Sequence, residues 1–266
     1  MTKRRLIVLA FAVAMPVTMI AQGRGGTPPA RSPKEAAPVD LTGYWVSLVT
    51  EDWRWRMVTP IKGDSASVPI NQTAKQIMNN WDPAKDEAAG NQCKGYGAPA
   101  IMRVPGRLHV TWQDDNTLKV ETDAGTQTRL LHFPSTGSAQ SVQSPPNQPP
   151  SWQGYSVARW DAGLTPAGGQ LPLGLSQRQG IRSRSLEVMT TNLKPGYLRK
   201  NGVPYSAKAT VTEYFERFAE PDGNDHLMVM TIVTDPEYLA IPFVVTSDFK
   251  KEADGSKWDP TPCTAR

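Results

Sequence analysis

The chain has 266 residues, of which 39% are hydrophobic, and a formal net charge of +4 at pH 7. Lys3, Arg4 and Arg5 account for three of the 29 basic residues, and the other 26 nearly balance 25 acidic residues. This balance gives no electrostatic case for nucleic acid or an anionic membrane as a partner. The 21 Gly and 24 Pro are typical of an all-β protein with many turns and some long loops.

The N-terminus has the pattern of a secretory signal peptide over residues 1–21. Three basic residues precede a short apolar run over 6–14, and Ala21 ends a small-residue cleavage site. The run is too short to span a bilayer and Pro16 follows it. We therefore expect a periplasmic or secreted protein with no integral membrane segment after cleavage. Residues 22–39 lack apolar periodicity and predict a disordered spacer, followed by one β domain over 40–266.

The domain begins with a predicted strand over 41–49 and a helical stretch over 71–81. Asn71 is a suitable N-cap for this helix. A second short helix is indicated by Asp82 as N-cap, Pro83 at its first position and Gly90 after its end.

From residue 100 onward the pattern is that of short strands separated by turn residues. The predicted strands are 101–104, 107–113, 118–122, 126–133, 155–160, 185–192, 209–218, 226–233 and 242–250. Two loops, 134–151 and 161–184, interrupt them, and Asn201-Gly202 predicts a hairpin turn. Closely spaced strands joined by tight turns predict an all-β, antiparallel up-and-down barrel of about 8–10 strands.

Cys93 and Cys263 form an even pair, which in an oxidising compartment predicts a disulfide bond. The alternative is two thiols for a metal or for redox chemistry, but the sequence has no CxxC and no nearby His. The motifs of phosphate loops, zinc proteases and serine hydrolases are also missing from the sequence. No metal and no cofactor are therefore predicted.

Two resemblances add to this interpretation. Gly43-Tyr44-Trp45 and Thr234-Asp235 resemble motifs of the lipocalins, which implies a lipocalin-like (calycin-type) barrel. Segments 50–57, 195–205 and 235–243 resemble a family of secreted bacterial proteins without an assigned activity. That resemblance implies an exported, single-domain β protein and carries no catalytic residues.

Several polar residues are candidates for a site. In a strand, Trp53 and Trp55 would face one side and Arg54 and Arg56 the other. This arrangement suits an anionic or planar ligand. Alternatively, the two Trp belong to the core and the two Arg face solvent. Arg199 and Lys200, beside the predicted hairpin turn, either bind an anion or keep an edge soluble.

In the strand over 209–218, Glu213 shares a face with Val211 and Phe215, so this strand places a Glu among apolar side chains. Inside a barrel, Glu213 with His109 or His132 could perform general acid–base chemistry, unless Arg103 or Arg129 neutralises the carboxylate. Asp235 and Tyr238 occupy a predicted rim position. The predicted catalytic residues are thus Glu213, His109, His132 and Asp235. The predicted ligand-binding residues are Trp53, Arg54, Trp55, Arg103, Trp112, Tyr214 and Tyr238.

Three functions remain open at this point. The favoured one is binding of a small apolar or aromatic molecule inside the barrel. The second is a cofactor-independent enzyme, of isomerase, hydratase or hydrolase type, that uses a Glu/Asp–His pair. The third is a non-catalytic interaction protein that acts through the loops 134–151 and 161–184. No oligomeric state is assigned.

Overall fold

A computed structural model describes residues 31–134, 145, 147–161 and 185–266. Nine strands close into a barrel, which confirms the predicted all-β barrel. They are β1 (Gly43–Leu48), β2 (Arg107–Asp114), β3 (Thr117–Thr122), β4 (Gln127–His132), β5 (Tyr155–Trp160), β6 (Ser185–Thr191), β9 (Thr210–Ala219), β10 (Asp225–Thr234) and β11 (Phe243–Glu252). In the sequence, β6 and β9 are connected by a segment that contains a separate hairpin. The hairpin consists of β7 (Gly196–Arg199) and β8 (Val203–Tyr205).

The strand order around the barrel is β1-β11-β10-β9-β6-β5-β4-β3-β2. All neighbours are antiparallel except β4 and β5, where Leu131 pairs with Ser156 and His132 with Val157 in parallel register. The sequence predicted a wholly antiparallel barrel. An odd number of strands cannot alternate in direction around a closed ring, so at least one parallel pair is required. The predicted long loop after residue 133 separates these two strands.

Short helices lie at one end of the barrel, which we call the capped end. They are α1 (Trp53–Arg56), α2 (Gln72–Asn79), α3 (Pro83–Ala88), a 3₁₀ helix (Gln92–Tyr96) and α4 (Ala98–Ile101). The Asn71 side chain accepts a hydrogen bond from the Ala74 N–H at 3.0 Å, and that of Asp82 accepts from Ala84 at 3.1 Å. Both predicted N-caps are confirmed.

Two predicted extended segments are helical instead. The segment predicted as a strand over 101–104 contains the end of α4 and a turn, and Trp53–Arg56 is the single turn α1. Asp52, directly before α1, has a φ of 53°, which turns the chain away from the extended direction of β1. The alternation expected for Trp53, Arg54 and Trp55 therefore does not occur.

Inward-facing side chains fill the described part of the barrel. Trp45, Leu131, Leu186, Leu227 and Val229 belong to one apolar cluster and each has 0% exposure. These five side chains are therefore in contact with protein atoms on all sides. A second apolar cluster packs α2 and the β7–β8 hairpin onto the barrel end, where it includes Val211 and Val233.

Aromatic residues close the other end of the barrel. Trp112, Phe133 and Trp160 lie with ring centroids 5.4–6.4 Å apart. The Trp160 Nε1–H donates to the Pro33 carbonyl at 2.8 Å, and Val39 packs against the barrel cluster. Residues 31–39, within the segment expected to be a disordered spacer, therefore contact the barrel, and residues 22–30 lie outside the described part.

Cys93 and Cys263 form a disulfide bond that ties the C-terminal segment to the 3₁₀ helix, as predicted. The same C-terminal segment is held by the Thr261 N–H, which donates to the Asp123 carbonyl at 2.9 Å. Within the described residues, no helix combines the length and the apolar character that a membrane span requires.

Candidate functional site

A crevice of about 340 Å³ opens at the capped end, between α1, α4, β7 and the C-terminal segment. We call it the basic crevice. Its lining residues are Trp55, Arg56, Met57, Thr59, Pro60, Gly95, Tyr96, Ala100, Arg103, Val104, Pro105, Ala124, Leu198, Arg199, Lys200 and Thr261. These described residues include four cationic side chains and no carboxylate. A concave site with convergent charge of one sign attracts ligands of the opposite sign.

Two of the four cations have carboxylate partners behind the crevice wall. Arg56 donates from Nη1 to Glu51 at 3.1 Å and from Nε to the Arg103 carbonyl at 3.0 Å. Arg103 donates from Nη2 to Asp52 Oδ2 at 2.7 Å, while its guanidinium lies 5.7 Å from the ring of Phe243. These contacts hold both side chains in place at the crevice.

Arg199 has no such partner. Its side chain is almost completely buried, its Nη2 donates to Ser67 Oγ at 2.9 Å, and its guanidinium lies 4.9 Å from the centre of the Trp55 ring. Among the described residues, its Nε and Nη1 have no hydrogen-bond partner and it forms no ion pair within 4.0 Å. Burial and the nearby Arg103 charge lower the pKa of Arg199 to about 10. The guanidinium still carries its charge at neutral pH, and the carboxylates of Asp52 and Asp64 offset that charge in part from beyond 4.0 Å.

Tyr96 and Lys200 form a hydrogen-bonded pair in the wall of the crevice. The Lys200 Nζ donates to the Tyr96 hydroxyl at 2.9 Å and to Thr264 Oγ1 at 2.8 Å. Burial acts to raise the pKa of Tyr96, but the hydrogen bonds from Lys200 and Thr264 and the Lys200 charge together hold it below its usual value. The pair is anchored by the neighbouring Cys93–Cys263 disulfide.

Glu213 lies inside the barrel, as predicted, where it forms an ion pair with Arg129. Its two carboxylate oxygens accept from Arg129 Nη1 at 2.9 Å and Nη2 at 2.5 Å, and both side chains are essentially unexposed. Arg129 also donates to Thr190 at 3.3 Å, and Thr190 is 2.8 Å from Ser156. Arg129 therefore neutralises the Glu213 carboxylate, which is one of the alternatives left open by the sequence.

The histidines lie on the outer face of the barrel, away from Glu213. His109 stacks on Tyr44 at 4.1 Å and is 3.3 Å from Glu121, while His132 stacks on Tyr155 at 5.0 Å. Their strand neighbours Leu108, Val110 and Leu131 are the ones that point inward. The structure does not bring Glu213 together with either histidine.

Asp235 is buried and holds a turn. Its carboxylate accepts from the Ser206 N–H at 2.6 Å, the Ser206 hydroxyl at 2.7 Å and the Glu237 N–H at 2.9 Å. Tyr238 packs against the second apolar cluster, and its carbonyl accepts from the Asn71 N–H at 2.9 Å. Neither residue lines the basic crevice.

Of the predicted ligand-binding residues, Trp55 and Arg103 line the basic crevice. Trp53 and the Arg54 side chain are both 67% exposed beside it. Trp112 is part of the aromatic closure at the opposite end. Tyr214 lies on the outer face of β9, near Glu187.

Sequence reasoning noted Arg199 and Lys200 as suited to an anion but did not include them, or Tyr96, among the site residues. Their adjacency to the predicted Asn201-Gly202 turn was the available signal. The partner segments, α1 and α4, are distant in sequence, and no local pattern connects them.

No protein-family model matches the sequence, and neither a curated protein nor a solved structure shows significant similarity to it. In the described part of the chain, no three His, Cys, Asp or Glu side chains are grouped so that they could hold a metal ion.

Proposed function

We propose that this chain is a small-molecule-binding protein that holds an anionic ligand in the basic crevice. The observation that carries this proposal is Arg199, a buried guanidinium with two unpartnered nitrogens and, among the described residues, no carboxylate within 4.0 Å. A buried charge is normally paired, because removing it from water is costly. A bound carboxylate, phosphate or sulfate would supply the missing countercharge.

The remaining lining fits an anion that also has an aromatic or apolar part. Trp55, Tyr96 and Leu198 supply flat and apolar surface beside the cations. This retains the small-molecule binding expected from the sequence but moves the ligand from the barrel interior, which the buried apolar cluster occupies, to the crevice at the capped end.

We also propose that the protein is exported to the periplasm or secreted. The Cys93–Cys263 disulfide supports this proposal, since disulfides persist mainly in oxidising compartments. The N-terminal signal pattern supports it independently.

The test compares two ligands of similar size and opposite charge, benzoate and benzamidinium, by isothermal titration calorimetry. We expect benzoate to bind and benzamidinium not to bind. Arg199→Gln should weaken benzoate binding at least about tenfold, because a charge-assisted hydrogen bond is lost. Arg159→Gln is the matched control, since Arg159 lies on the outer face of β5 with a 57% exposed side chain.

Circular dichroism verifies that each variant is folded. Should Arg199→Gln fail to fold, Lys200→Met provides the second measurement, with the exposed Lys208→Met as its control. Equal affinity for the two ligands, or benzoate binding that neither crevice variant weakens, would show that the crevice is not an anion site.

A further inference from the structure

The basic crevice continues into a second depression on the barrel wall, which we call the apolar groove. It has a volume of about 590 Å³ and its lining residues are Val46, Ser47, Val49, Met57, Pro105, Gly106 and Arg107. Met57 and Pro105 line both cavities, so the two adjoin each other at these residues.

The groove differs from the crevice in charge. Arg107 is its one charged lining residue, and it is neutralised by Glu252 at 2.9 Å and Asp123 at 3.7 Å. The side chains of Val46, Val49, Met57 and Pro105 make the remainder mostly apolar. A path across Met57 and Pro105 therefore leads from the cations of the crevice to the mostly apolar surface of the groove.

Exposed apolar side chains border this path. Trp53, Met57, Val58 and Ile61 are between 61% and 73% exposed. Trp53 and Met57 lie one helical turn apart, since the Met57 N–H donates to the Trp53 carbonyl at 2.9 Å. A contiguous group of large exposed apolar residues marks a surface that another apolar group covers.

We infer that the ligand is a single-chain anionic amphiphile, and this inference rests on the proposed function of the basic crevice. Its charged head group lies near Arg103, Arg199 and Lys200, and its alkyl chain extends past Met57 and Pro105 along the apolar groove. Charge complementarity sets the direction, because the four cations are at one end of the path and the neutral surface at the other.

The experiment measures the affinities of hexanoate, octanoate and decanoate by calorimetry, each below its micelle-forming concentration. Full burial of a methylene raises affinity about fourfold, and in a groove open on one side we expect about twofold per methylene. Decanoate, with four more methylenes, should then bind about sixteenfold more tightly than hexanoate, and decyltrimethylammonium should not bind.

Met57→Gln should reduce this gain with chain length, because glutamine has a similar shape but a polar end. Val244→Asn is the matched control, since Val244 is 54% exposed on β11 and lines neither cavity. If Met57→Gln is unstable, Val49→Asn replaces it.

Hexanoate binding that depends on Arg199 but does not strengthen with chain length would overturn the amphiphile inference and leave the anion site standing. Binding of none of the alkanoates, together with no binding of benzoate, would overturn both. If affinity rises equally with chain length in Met57→Gln and in wild type, the alkyl chain lies elsewhere, and this outcome would also overturn the inference.

Discussion

Arg129 and Glu213 face each other in the interior of the barrel through two parallel hydrogen bonds, with side-chain exposures of 1% and 0%. The pair lies between the two apolar clusters. Along β9, Val211 belongs to the cluster beneath the helices and Phe215 to the cluster inside the barrel, with Glu213 between them. The Glu213 carboxylate is therefore the countercharge of Arg129 in the barrel interior.

Replacing Glu213 with Gln should destabilise the fold strongly. The Arg129 charge would remain buried without a partner, which costs about 3–5 kcal/mol. Urea unfolding followed by circular dichroism measures the change. The double variant Arg129→Met/Glu213→Leu removes both charges and should recover most of the loss. A Glu213→Gln variant as stable as wild type would contradict the structural role of the pair.

Removal of the Cys93–Cys263 disulfide should lower the free energy of unfolding by about 2–5 kcal/mol. The bond joins residues 170 positions apart and holds the C-terminal segment beside the basic crevice. Thermal unfolding of Cys93→Ser/Cys263→Ser is compared with that of wild type in reductant, and the two should agree. An unchanged melting temperature on full reduction would exclude this stabilising role.

Gly202→Ala should be far more damaging than Gly223→Ala, although the two glycines have nearly equal φ values of 86° and 84°. Both substitutions incur the cost of a left-handed backbone, about 1–2 kcal/mol. At Gly202 an added Cβ would also lie 2.3 Å from Cγ of Trp81, whereas at Gly223 no atom is within 4 Å. Chemical unfolding of both variants checks this difference, and equal losses would be inconsistent with the packing of Trp81.

Acidification should destabilise the protein in part through His132. Burial lowers its pKa from 6.5, although the Asp114 charge opposes the shift. Since the unfolded chain binds the proton more tightly, stability should fall as the pH drops below about 6.5, until His132 is also protonated in the folded state. His132→Phe keeps the stacking on Tyr155 and removes the titration.

The melting temperatures of wild type and His132→Phe, measured between neutral pH and about pH 5.5, test this expectation. The variant should lose less stability on acidification. All other residues are the same in both proteins, so their contributions cancel in the comparison. Parallel curves would show that His132 contributes nothing to the acid sensitivity.

The strands and their inward faces could be predicted because side chains alternate along a strand. Glu213 was placed with Val211 and Phe215 on this basis, and the structure confirms that all three point inward. The N-caps at Asn71 and Asp82 could also be predicted from the sequence, because capping depends on neighbouring residues alone.

The candidate site was less accessible to such reasoning because it is assembled from distant segments. Arg56, Arg103 and Arg199 come from three separate elements that meet only when the helices pack on the capped end. The helical turn at Trp53–Arg56 depends on the backbone reversal at Asp52, which the alternation of Trp and Arg does not reveal. Trp55 does line the crevice, but from a helical turn and not from the strand on which the prediction was based.

The ring closes where β1 meets β11, with Tyr44 opposite Glu252 and Leu48 opposite Asp248. Pairs so far apart in the chain form late in folding, because a very long loop must be closed first. Until the last strand docks, both edges remain free to pair with another molecule. A chain cut before Phe243 would keep those edges permanently, and we expect it to aggregate.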